Sequence, residues 1–276
     1  MPDPIPDINL ASTAGWTASV RTLESARPDR LFNDPWASAL AGEEGRRWLA
    51  QRSPDSVLPI ILRTRYFDDF LQRITHENAL RQVVLLAAGL DMRAFRLSWP
   101  AGTCLFELDQ LEVLNAKESL LQSVSASAAC DRRVIQVDLT GPWQEQLVQS
   151  GFNPGRSSGW LLEGFLFYLP SESIIRLLDE LNPLAASGSW LGFDVINSAM
   201  LTSPLTRQWV EMQANSGAPW IGVLDDPHAF LAERGWQATL TQAGQPDVNH
   251  GRWHFPVIPT AMPGMPHNWF VTAVKG

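Results

Sequence analysis

The stretch from Gln82 to Leu97, QVVLLAAGLDMRAFRL, constrains this chain more than any other, because a short apolar run turns abruptly into a glycine, an acid and a helical pattern. Val83, Val84, Leu85 and Leu86 form a continuous apolar segment, as a strand buried on both faces of a parallel sheet requires. Gly89 can adopt backbone conformations closed to other residues and lets a ligand approach the main chain. Asp91 stands where a helix N-cap belongs, ahead of Met92, Ala94, Phe95 and Leu97. Twenty residues after Gly89, Asp109 closes a second apolar strand in CLFELDQLEVL, where an acid can accept hydrogen bonds from ribose hydroxyls.

The turn departs from the dinucleotide pattern. Where G-x-G-x-x-G would place three glycines, the chain reads Ala87, Ala88, Gly89, Leu90, Asp91, Met92, so one glycine remains. Three glycines bring backbone and helix N-terminus against pyrophosphate oxygens; an adenosyl ligand without phosphate needs one close approach and a ribose acceptor. S-adenosylmethionine fits that description. An NAD(P)-dependent oxidoreductase on a Rossmann sheet is the competing reading, and the missing glycines count against it.

A length of 276 residues and 45% hydrophobic content supply a substantial core. A formal net charge of -8, with no long run of Lys or Arg, argues against binding a phosphate backbone. Cys104 and Cys130 lack C-x-x-C spacing and support neither a disulfide framework nor a zinc site. MPDPIPDINLAS has no basic n-region or apolar core, and no apolar run is long enough to span a bilayer. The expectation is a soluble cytoplasmic enzyme with no nucleic-acid or membrane partner.

Pro2, Pro4 and Pro6 suggest a loose arm, and residues 13–76 read as helical segments punctuated by Pro28, Pro35, Pro54 and Pro59. This predicts an N-terminal arm and helical cap over 1–78, ahead of a core over 79–276. In that core, strands are expected at 82–87, 103–108, 133–138, 159–163 and 188–195, alternating with helices such as Gln110–Leu121 and Ser171–Leu184. Such alternation means a parallel sheet covered by helices. In the tail, Asp226–Arg234 reads as a helix stopped by Gly235, and Trp236–Gln242 and Asn268–Lys275 as strands. The prolines of Phe255–Pro266 mark long loops, expected to face substrate.

In an open parallel sheet the ligand lies across the carboxyl ends of the strands, and here those ends carry Gly89, Asp109, Asp138, Glu163 and Asp194. QVVLLAAGLDMRAFRL, FELDQLEVLNAKESLL, VIQVDL, WLLEGFLFYLP and the upstream ILRTRYFDDFL together resemble the motif series of the leucine carboxyl methyltransferase-like S-adenosylmethionine-dependent methyltransferases. The resemblance runs from about Thr13 to the C-terminus. It implies a class I methyltransferase fold, α/β and Rossmann-like, with a seven-stranded, mostly parallel sheet and an N-terminal helical cap. It also implies S-adenosyl-L-methionine as cofactor. On this resemblance Arg63 or Arg65 pairs with the methionine carboxylate, Ala87 and Gly89 line the cofactor, Asp109 holds the ribose, Asp138 with Leu139 flanks the adenine, and Glu163 faces the methionine amino group. Pairing of the arginines with Asp68 or Asp69 on their own helix is the alternative. The family usually has Gly where this chain has Ala87 and Thr where it has Met92.

The implied reaction is O-methylation of a small-molecule acceptor, apolar or aromatic and polyketide-like, in the manner of the bacterial members that serve secondary metabolism. A protein C-terminal carboxylate is the second reading. His250 and His254, in HGRWHFP, are candidate bases but poor metal ligands, since Gly251 and Pro256 make a helix unlikely and no acidic third ligand adjoins. No metal is expected. Tyr168 and Arg252 are candidates for substrate contact. Of the twelve tryptophans, those facing the cleft would build a flat apolar pocket.

Overall fold

The computed structural model describes residues 10–276, so the expected arm with Pro2, Pro4 and Pro6 lies outside the described residues. The helical spacing upstream becomes α1 (Leu10–Ser25), α2 (Ala37–Ala50) and α3 (Leu58–His76), with Pro59 in the first turn of α3 where its missing N–H costs nothing. There follow β1 (Gln82–Leu86), α4 (Arg93–Arg96), β2 (Cys104–Asp109), α5 (Leu111–Ser123), β3 (Asp131–Gln136), α6 (Trp143–Gln149), β4 (Gly159–Leu162), α7 (Ser171–Leu181) and β5 (Trp190–Ile196). The tail adds α8 (Ser198–Thr202), α9 (Arg207–Asn215), α10 (Pro227–Ala232), β6 (Trp236–Thr241), α11 (Pro246–Asn249) and β7 (Asn268–Lys275).

The sheet has seven strands in the order β3-β2-β1-β4-β5-β7-β6, all parallel except β7, which runs antiparallel to both neighbours. This is the expected mostly parallel class I methyltransferase sheet. Most boundaries shift by one to three residues from the sequence reading, two of them in ways that bear on the chain's course. Pro183 cannot continue α7, which tightens after Leu181 into a 3-10 turn over Asn182–Leu184. Strand β3 ends at Gln136, so Asp138 stands in the loop beyond it.

Alternation along β1 sorts its residues between two cores. Val84 and Leu86 join Phe106, Trp160 and Phe193 beneath α6 and α7, whereas Val83 and Leu85 join Leu105, Leu161 and Phe270 beneath α3. α3 lies close because Gly159 and Gly192 present no side chain: a Cβ there would stand 2.4 Å from Ile74 Cδ1 and 2.8 Å from Phe70 Cε1. Among the described residues, no helix is long and apolar enough to cross a membrane.

α1 and α2 pack through glycines, and α2 bends at Gly42 (φ 61°, ψ −178°), a conformation essentially reserved for glycine. A Cβ on Gly45 would lie 2.2 Å from the Gly15 carbonyl oxygen, backbone against backbone with no flexible side chain to yield. Gly45→Ala is therefore expected to cost about 1–3 kcal/mol, or several degrees of Tm in a thermal melt. An unchanged melt would mean that the two helices do not meet there.

Candidate active site

A cavity of about 570 Å³ opens at the carboxyl ends of β1, β2 and β4, with α1 and the start of α3 on its other side. Its size and position suit a ligand across a parallel sheet. Ala87, Gly89, Asp109, Asp138, Leu139, Glu163, Arg63 and Tyr168 all line it.

The turn after β1 is held from the neighbouring strand. The Ala88 N–H donates to Leu108 O at 3.1 Å, and Asp109 accepts from two backbone donors, Gly89 N at 2.6 Å and Gln110 N at 2.7 Å. Burial pushes the Asp109 carboxyl up, against the pull of these two N–H groups. Gly89 has φ 48°, and a Cβ there would meet nothing nearer than Ala87 O at 3.9 Å, so its main chain is open to a ligand. Ala87 has φ 53°, the left-handed region that costs an L-residue roughly 1 kcal/mol, so a glycine would suit that position. Asp91 does not sit at the N-cap itself. Met92 does, and the Asp91 carboxylate reaches past it to accept from Arg93 N at 2.6 Å. On the far side, Asp138 is engaged by Thr140, whose N–H and hydroxyl both donate to Oδ1 at 2.8 and 2.7 Å.

Arg63 projects from α3 over Gly164. Its Nε donates to Glu163 Oε1 at 3.0 Å and its Nη1 to Asp194 Oδ2 at 2.9 Å, leaving Nη2 with no acceptor among the described residues. A Cβ on Gly164 would stand 2.8 Å from that Nη2, so only glycine allows the arginine this approach. Glu163 is held from its other side by Arg93 Nη2 at 2.7 Å, and Arg93 also pairs with Asp91 and Asp68, while Arg96 pairs with Asp68 at 2.6 Å. The whole network holds three guanidiniums against four carboxylates. Burial alone would raise the Asp91 carboxyl, but Arg93, Lys117 and Arg96 hold it down at about 2. Asp194, wholly buried inside β5 rather than at its end, is pushed up by burial and pulled back by Arg63.

Other sequence candidates lie elsewhere. Arg65 points away from the cavity: its Nε donates to Asp69 at 2.8 Å, one turn along α3, and its Nη1 to Leu31 O at 2.6 Å. The two arginines are two apart on a helix, which turns them to opposite sides. Arg252 is engaged by Glu24 at 2.9 Å and Asp29 at 2.7 Å, His254 stands 3.3 Å from Asp55 on the surface, and His250 is an exposed left-handed residue ending α11. None of these three, nor any residue of Phe255–Pro266, lines this cavity. Arg65→Ala should cost under about 1 kcal/mol, as an exposed ion pair does, and leave the affinity for S-adenosylhomocysteine unchanged by calorimetry.

The sequence reading passed over Arg93 and Arg96, and considered Asp68 only as a partner for the arginines of its own helix, although all three lie inside the motifs it quoted. The pairing of acids in RTRYFDDF with arginines in GLDMRAFRL was the available signal. It also passed over Arg52, Trp16, Trp209 and Trp220 as a group; they line the cavity from four separate segments, and no local pattern joins them.

The model of the leucine carboxyl methyltransferase family matches residues 14–182. The chain belongs to that family. A provisionally named S-adenosyl-L-methionine-dependent methyltransferase of Frankia alni is 37% identical over 245 residues, covering 82% of each chain. One of Streptomyces coelicolor is 35% identical over 252 residues, covering 87% of this chain and 88% of its own. In three dimensions the leucine carboxyl methyltransferase member described here resembles a methyltransferase structure from Thermobifida fusca (TM-score 0.60, 16% identity, 94% of each chain covered). It also resembles the magnesium protoporphyrin IX methyltransferase of Synechocystis, solved with S-adenosylhomocysteine (TM-score 0.51, 13% identity, 84% of this chain and 93% of that one).

Proposed function

We propose that the protein is an S-adenosylmethionine-dependent methyltransferase that methylates an oxygen of a small apolar or aromatic acceptor. The observation that carries this reading is the charge of the network beside the open Gly89 turn. Three arginines against four carboxylates leave an excess negative charge, which suits a ligand that is zwitterionic at its amino-acid end and cationic at sulfur.

The residues present fit that cofactor. Arg63 Nη2 is free to take the methionine carboxylate, Glu163 can accept from the amino group, and Asp109 retains lone pairs for ribose hydroxyls while it fixes Gly89. Asp138 and Leu139 line the same cavity and are the residues that would flank the adenine. Bound there, S-adenosylmethionine supplies a methyl already activated on a sulfonium, passed to the acceptor oxygen as the carbon–sulfur bond breaks. The protein's task is then to align the acceptor and exclude water.

Among the described residues lining the cavity there is no histidine to act as a base. His250 and His254 lie outside it, and burial pushes the Tyr168 phenol up, which keeps it a proton donor at neutral pH. Oxygens that ionise unaided, those of carboxylates and acidic phenols, need no such base and are the acceptors favoured.

Calorimetry with S-adenosylhomocysteine and with NAD tests the cofactor, and label transfer from S-adenosylmethionine to a panel of phenols and acids tests the reaction. Binding of NAD without S-adenosylhomocysteine would overturn the reading in favour of an oxidoreductase. Ester formation on a C-terminal leucine peptide, with no small molecule methylated, would move it to protein carboxyl methylation.

A further inference from the structure

Every other arginine lining the cavity has a carboxylate within 4 Å: Arg21 has Asp34, Arg63 has Glu163 and Asp194, Arg93 and Arg96 have Asp68, and Arg176 has Glu180. Arg52 has none among the described residues. Its Nη2 donates to Gln213 Oε1 at 3.2 Å and Ser216 Oγ at 3.4 Å, its Nη1 reaches Met212 Sδ at 3.6 Å, and all three acceptors are neutral. The guanidinium is half-buried and stacks on Trp16 and Trp48, at 4.7 and 5.1 Å from the ring centroids, which fixes its plane. A desolvated cation held in one orientation, with no counterion of its own, is an anion site by its chemistry.

Its surroundings describe what the anion is attached to. Trp209 and Trp220, with ring centroids 6.0 Å apart, share this part of the cavity, and Phe167 lies 5.0 Å from Trp220. The indole Nε1 of Trp209 is buried with no hydrogen-bond partner, a donor left for a ligand. Tyr168 lines the same cavity and lies within electrostatic range of both Arg52 and Arg63.

We infer that Arg52 holds an anionic group of the acceptor, which makes the substrate an organic acid with a flat, apolar body. This rests on the methyltransferase reading above and narrows it. A guanidinium hydrogen-bonded to a carboxylate holds it in place and lowers the nucleophilicity of its oxygens toward a methyl group. The acid on Arg52 is therefore a handle, and the methylated oxygen is another one on the same molecule.

The test uses the full chain saturated with S-adenosylhomocysteine and two matched probe pairs, 2-naphthoate with 2-naphthamide and 3-phenylpropanoate with its amide, titrated by calorimetry. The acid should bind at least about tenfold more tightly than its amide in one or both pairs, the range of a charge-assisted hydrogen bond. In Arg52→Met, which keeps an unbranched apolar side chain beside Trp16 and Trp48, that preference should fall to parity while S-adenosylhomocysteine affinity holds. Arg52→Lys should restore part of it. With S-adenosylmethionine in place of S-adenosylhomocysteine, bound naphthoate should remain unmethylated. No acid preference in the wild type, or a preference that survives in Arg52→Met, overturns the anchor; formation of methyl naphthoate overturns the handle. Failure of S-adenosylhomocysteine to bind at all would instead sink the methyltransferase reading on which both rest.

Discussion

Arg63→Met is expected to lose S-adenosylhomocysteine binding and about 3–5 kcal/mol of stability together, because it removes the cation that bridges Glu163 and the wholly buried Asp194. Thermal unfolding and calorimetry on the same preparation measure the two losses. Their cause can be checked by pH. Asp194 already has a raised pKa, and without Arg63 it should rise further, so that the folded state binds a proton which the unfolded state releases above the ordinary carboxylate range. Stability of the variant should therefore fall as pH rises through that window, and its deficit against wild type should shrink on acidification. A deficit that grows at low pH would show that unpaired carboxylates are not responsible. Arg63→Lys keeps a charge without the fork and should recover part of the stability, since an ammonium cannot span both acids as a guanidinium does.

Asp109→Asn should weaken S-adenosylhomocysteine binding by about 2–3 kcal/mol, although the replacement is nearly isosteric. Two backbone donors converge on this side chain, Gly89 N on one oxygen and Gln110 N on the other. An amide has one acceptor oxygen, so its NH₂ must face one of those N–H groups and push the turn open. The ribose then loses both its charged acceptor and the Gly89 backbone beside it. A folded Asp109→Asn protein with wild-type affinity would place the ribose elsewhere.

What could be read in advance divides along sequence locality. The strand–turn–strand from Gln82 to Asp109 announced itself through a fully apolar run, a glycine needing positive φ and an acid at the next strand end. These are properties of neighbours in the chain, and the structure gathers them on one cavity. The choice between Arg63 and Arg65 could not be made that way, since it depends on which side of α3 faces β4 and β5. The surroundings of Arg252 were hidden for the same reason: its partners, Glu24 and Asp29, lie more than two hundred residues upstream. Arg52 showed no signal because what marks it is the lack of an acid in space, and a sequence does not display which charges go unanswered.

The place of β7 in the sheet sets an order for how the chain can come together during synthesis. β5 is bonded on one side to β4, which precedes it, and on the other to β7, which a ribosome makes more than seventy residues later. β6 emerges sooner but bonds only to β7, so it has nowhere to dock on arrival. Until β7 threads between them antiparallel, the nascent protein carries two open strand edges side by side in time, β5 and β6, each a template for pairing with another chain. A pause in translation between Thr241 and Asn268 would prolong that exposure, whereas one placed before Trp236 would leave only β5 unprotected.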